Sequence, residues 1–165
     1  MHPDYNYIQV ALELALEKHE GQTRRNGQPY FDAHLYPVFN LVDEVYQKDC
    51  FKWSLPIQFD STQFIAIKIG AILHDAIEDK RITEIEMRKI FPAFYVDVIM
   101  LVTRKEGQTY FDFIQGILEG GAASFCAKII KLADLLHNMS DLNEGSLRDK
   151  YRFAYSLLSR EYPPY

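Results

Sequence analysis

Ser61-Thr62-Gln63-Phe64-Ile65-Ala66-Ile67-Lys68-Ile69-Gly70-Ala71-Ile72-Leu73-His74-Asp75-Ala76-Ile77 is apolar on almost every side of a helical projection. It lacks the apolar–polar alternation of a half-buried strand. A helix over 61–77, capped at Asp60 or Ser61, is therefore expected to be buried nearly all round, which requires other helices packed about it. A second apolar helix is expected at 122–139. Amphipathic helices are expected at 5–20 (Ile8, Ala11, Leu12, Ala15 and Leu16 inward), 31–47 (Val38, Leu41, Val42 and Val45 inward), 93–102, 112–118 and 146–159. Thr83-Glu84-Ile85-Glu86 is a capping box that opens one more, and Pro92 marks the break after it. The stretches 21–29 and 48–60 read as loops. The expected class is all-α, one compact helical domain over 1–165.

The central segment then turns polar where it should stay apolar: His74-Asp75-Ala76-Ile77-Glu78-Asp79. On a continuous helix His74 stacks over Glu78 and Asp75 over Asp79, so four ionisable groups share one face. Burying them unpartnered is expensive, and a divalent cation would offset the cost. The bland alternative is a helix that ends in solvent, with His74 hydrogen-bonded in the core. A second polar stripe, Lys131, Asp134 and Asn138, runs along an otherwise apolar helix, and His137 lies off it as a packed or partly exposed histidine. The third signal is a glycine-bounded loop with Arg24 and Arg25, followed by His34. Twin arginines are usually solvated; beside a metal site they could hold phosphate or stack on a base.

The fragments HEGQTRRNGQPYFDAH, AILHDAIED and IIKLADLLHNM, in that order, resemble the HD-domain metal-dependent phosphohydrolases, and more closely the RelA/SpoT-type hydrolase domain with its small stand-alone members. The resemblance runs from about 19 to 151. It implies metal ligands at His34, His74, Asp75 and Asp134, with Mn²⁺ the usual ion. It implies water activation by Glu78 and Asp79, and nucleotide contacts from Arg24, Arg25, Lys131 and Asn138. The implied reaction is release of the 3′-pyrophosphate from guanosine tetra- or pentaphosphate, the stringent-response alarmone. The alternatives are a nucleotidase on another nucleotide and a nucleotide-binding regulator without turnover. Two departures stand out. Three residues rather than two separate Pro29-Tyr30 from His34, which is expected to shift the loop against the metal, and 50–59 reads as an insertion.

Composition narrows the rest. At 165 residues the chain suits one domain and leaves no room for a synthetase or regulatory domain. Its net charge of −5, with no basic run, argues against nucleic acid as a partner. Cys50 and Cys126 form no CxxC, so a reducing cytoplasm is expected. No signal peptide or membrane span is read, and no Gly-rich phosphate loop.

Overall fold

The computed structural model describes residues 5–52 and 61–160, and among them every regular element is helical. In chain order these are α1 (Tyr5–Lys18), a single π turn (Phe31–Leu35), α2 (Tyr36–Lys52), α3 (Ser61–Leu73), α4 (Glu84–Ile90), α5 (Ala93–Val102), α6 (Tyr110–Leu118), a 3-10 turn (Gly121–Ala123), α7 (Ser124–Ser140) and α8 (Ser146–Arg160). The expected all-α class holds. The capping box also forms as read: Thr83 Oγ1 accepts from the Glu86 N–H while the Glu86 carboxylate accepts from the Thr83 N–H.

Three departures from expectation have a local reason. α2 runs on to Lys52 because 48–52 (Lys-Asp-Cys-Phe-Lys) hold no glycine or proline. Residues 53–59 of the expected insertion, and the cap candidate Asp60, lie outside the described residues. On α1 the buried stripe is Ala11, Ala15 and His19, at four-residue spacing, so Leu16 is 57% exposed instead of facing inward. α3 stops at Leu73, before the polar pair, because the Ala76 N–H turns to Leu73 O at 3.0 Å rather than continuing the helical ladder.

α3 is the central helix, and every residue from Ile65 to Leu73 is buried. Even Lys68 is inside. Its ammonium donates to Phe39 O and to both Asp43 carboxylate oxygens at 3.1 Å. α1, α2, α5 and α7 pack around this helix. α3 and α7 run side by side in the same direction, touching at Gln63 with Cys126, Gly70 with Ile130, and His74 with Asp134. The middle contact is the closest: a Cβ on Gly70 would stand 2.4 Å from Ile130 Cδ1. Glycine here lets the two helices approach, one turn before each delivers an ionisable residue to the same point. No helix among the described residues is by itself long and apolar enough to cross a membrane.

Candidate active site

His74 sits just past the end of α3 and is 2% exposed. Its Nδ1 lies 2.8 Å from Ala71 O, so that nitrogen carries the hydrogen and Nε2 faces the site. The chain then turns through 74–80 and closes with Lys80 at φ +57°. These turns divide the acidic pair that a straight helix would have kept together. Glu78 lines a cavity with Asp75, and its Oε2 accepts from the Arg104 N–H at 3.1 Å. Asp79 Oδ2 instead accepts from Gln22 Nε2 at 2.8 Å.

His34 arrives on the π turn, where the Tyr36 N–H reaches back to Phe31 O. A π turn takes one residue more than an α turn. It thereby absorbs the extra residue before His34, and the imidazole still meets its partners: Nε2 lies 3.2 Å from His74 Nε2. The opposite nitrogen, Nδ1, is 3.0 Å from His137 Nδ1. His137 is half-buried, and burial, then His34 and Arg24, push its pKa down to about 4, so it is neutral and shares one hydrogen with His34 across this contact. The residue read as an ordinary packed histidine thus orients a candidate ligand. Such outer partners typically contribute about 10–100-fold in metal affinity. His137→Ala is expected to weaken divalent-metal binding by a factor in that range with helical content unchanged. Calorimetric titration with Mn²⁺ checks it, and an unaltered affinity removes the orienting role.

The α7 stripe contributes Asp134, which is 3% exposed. Lys131 Nζ donates to its Oδ2 at 2.7 Å and Asn138 Nδ2 to its Oδ1 at 2.5 Å. The donor atoms of His34, His74 and Asp134 all lie within 4.8 Å of one another. Asp75 Oδ2 joins them, 3.4 Å from His34 Nε2 and 3.1 Å from His74 Nε2, and also accepts the Tyr30 hydroxyl. Asp134 Oδ1 is 3.4 and 3.5 Å from the same two nitrogens. Bonds of about 2.0–2.2 Å to one ion require neighbouring donors about 3.0 Å apart for an octahedron and about 3.4 Å for a tetrahedron. The two imidazoles and Asp134 are spaced to hold a divalent cation, and the Asp75 carboxylate lies beside both imidazoles.

The electrostatics agree. Burial alone would raise the Asp75 and Asp134 carboxyls. His74 beside Asp75 and Lys131 beside Asp134 outweigh it and hold both well below the usual range. Burial would likewise depress His74, but the two carboxylates raise it well above its ordinary value. Negative charge concentrated at a buried point draws a cation, and the imidazolium fills that role.

The site opens into a cavity of about 260 Å³ lined by His34, Asp75, Glu78 and Asp134 together with Arg104, Lys131 and Lys150. Tyr110 also lines it. Its hydroxyl is buried with no hydrogen-bond partner among the described residues, and burial raises its pKa to about 12, which keeps it protonated. A second cavity of about 270 Å³ continues from the first through Tyr30, Asn138 and Tyr151, and Arg24 and Arg25 line its far wall. The loop that carries them is a small hairpin, with Arg24 N–H to Gln28 O at 2.9 Å and Gly27 at φ +80°. Arg24 Nη2 donates to Asn138 Oδ1 at 2.9 Å, and so joins the loop to the stripe. Arg104, Tyr110, Lys150 and Tyr151 went unread in the sequence because no local pattern marks them. Asp141 was legible, since it continues the stripe of Lys131, Asp134 and Asn138 by three residues. A larger cleft of about 560 Å³ between α4, α5 and α6 lacks this convergence, since its Arg88 is paired with Glu84 and Asp97.

Comparison with known proteins follows this geometry. The bifunctional (p)ppGpp synthase/hydrolase SpoT of Escherichia coli K12 is 29% identical over 153 residues, 88% of this chain and 19% of that protein. The guanosine-3′,5′-bis(diphosphate) 3′-pyrophosphohydrolase of Haemophilus influenzae is 30% identical over 149 residues, 84% of this chain and 19% of its own length. The chain is homologous to the SpoT-type proteins. It spans about a fifth of the length of these SpoT-type relatives. The solved structure of a metazoan SpoT ortholog that hydrolyses ppGpp superimposes on this chain with a TM-score of 0.59 at 23% identity, covering 93% of this chain and 82% of that one. The architecture is therefore the all-α HD hydrolase fold. No family model matches the chain.

Proposed function

We propose that this protein is a metal-dependent phosphohydrolase that removes the 3′-pyrophosphate from a guanosine alarmone. The observation that carries the reading is the buried convergence of His34, His74 and Asp134, with Asp75 beside both imidazoles, at a cavity that Arg104, Lys131 and Lys150 also line. The relatives named for (p)ppGpp hydrolysis supply the substrate class. Those four residues would hold the ion, Mn²⁺ in our reading. When bound, it supplies Lewis acidity toward water and toward phosphorus.

The remaining work falls to the chain's own groups. Glu78 orients the attacking water and takes its proton, and Asp79, expected to share that work, is instead held by Gln22 outside the cavity lining. The water oxygen bonds to the phosphorus next to the sugar, the bond from that phosphorus to the 3′-oxygen breaks, and the 3′-hydroxyl recovers a proton. Lys131, Arg104 and Lys150 balance charge on the leaving pyrophosphate, which a protein of net charge −5 otherwise repels. Arg24, Arg25 and Asn138 hold the nucleoside. The test is incubation of the purified protein and Mn²⁺ with a panel of nucleotides that includes ppGpp. Pyrophosphate released from ppGpp is the expected product. Orthophosphate from a nucleoside monophosphate instead makes it a nucleotidase, and binding without turnover makes it a regulator.

A further inference from the structure

The arginine loop carries a feature that the proposed chemistry does not use. Asp141 caps the C-terminal end of α7, the negative pole of that helix, where a carboxylate is disfavoured. It faces both arginines there. Arg24 Nε donates to Asp141 Oδ2 at 3.1 Å and Arg25 Nη2 to Asp141 Oδ1 at 2.5 Å. The second Nη2 hydrogen of Arg24 leans toward Asp141 Oδ1 at 3.4 Å, and the first is taken by Asn138.

This arrangement consumes the edge of the guanidinium that recognises phosphate. Bidentate pairing needs two neighbouring N–H groups, and both such edges include Nη2. With Nη2 and Nε occupied, Arg24 offers a ligand only its flat face and the Nη1 side. An incoming phosphate would also have to sit against the Asp141 carboxylate. The other walls of this cavity are Tyr30, Leu142, Leu147 and Tyr151, apolar or aromatic surface that suits a planar ring. The deeper cavity carries three cations, Arg104, Lys150 and the Asp134-paired Lys131, beside the acidic groups proposed to hold the metal.

We propose that Asp141 is a specificity-determining residue: by occupying the phosphate-binding edge of Arg24, it reserves the loop cavity for the base and sends the phosphates to the deeper cavity beside the metal ligands. The proposal rests on reading the cleft as a nucleotide site. Asp141 keeps its charge for this purpose. Partial burial would raise its pKa, but the bonds from Arg24 and then Arg25 lower it below the usual range.

The test uses the full chain and two probes that need no turnover, inorganic triphosphate and guanosine, each titrated against wild type and Asp141→Asn by NMR. The isosteric amide removes the charge and frees both guanidiniums. Triphosphate is expected to bind about tenfold more tightly to the variant, and guanosine several-fold more weakly, because its stacking face is no longer held. A residue that merely props the loop would weaken both ligands together, and that result overturns the proposal, as does no change in either. Asp141→Glu, which keeps the carboxylate, should leave triphosphate within about twofold of wild type; if it behaves like the asparagine variant, charge is not the cause and the proposal falls. Failure of wild type to bind guanosine overturns it too. Failure to hydrolyse ppGpp while both probes bind sinks only the hydrolase reading.

Discussion

Replacing His74 with alanine is expected to abolish stable metal binding and hydrolysis together. His74 Nε2 is the hub of the site, within 3.1–3.5 Å of His34, Asp75 and Asp134 donors, and without it two carboxylates face a single imidazole. The side chain is almost wholly buried, so no water-exposed neighbour can substitute. Asp134→Asn should lose the metal as well, with a further consequence. Lys131, whose side chain is 15% exposed, then loses its carboxylate. Breaking a buried pair from one side costs about 3–5 kcal/mol, so this variant should also melt earlier, and so should His74→Ala, which leaves the Asp75 carboxylate without its imidazolium partner. Elemental analysis of the purified variants with thermal unfolding by circular dichroism separates the two effects. A His74→Ala protein that retains a full complement of metal would refute the ligand assignment.

Glu78→Gln is expected to keep the metal and the fold yet lose about 10²–10⁴-fold in kcat, the usual contribution of a positioned acid–base group. The amide oxygen can still accept from the Arg104 N–H, so the side chain stays where it is. What it cannot do is take a proton. Asp79→Asn provides the comparison. Asp79 is turned toward Gln22 and does not line the cavity, so its loss should cost less than that of Glu78. Single-turnover rates measured at saturating Mn²⁺ check both. Metal loss in the Glu78 variant would move that residue into the ligand set and end its role with water.

Ser61 to Leu73 and Ser124 to Ser140 declare themselves as buried helices because their apolar residues leave no side for water, and that property is local. The same locality exposed His74, Asp75, Asp134 and Lys131. Polar residues in apolar helices demand a partner, and the demand is visible before the partner is known. His34 was harder, since it depends on a π turn whose single added residue brings the ring into place, and hydrogen bonding over five residues leaves no mark in apolar periodicity. Only the tertiary structure decided which groups meet: that Gly70 draws α3 onto α7, that the turn after Leu73 parts Glu78 from Asp79, that His137 backs His34, and that Arg104, Tyr110 and Lys150 join the lining of the cavity. Those contacts join residues far apart in the chain. Their free energy comes from packing and from charges in a low-dielectric interior, and neither is a property of any short stretch of sequence.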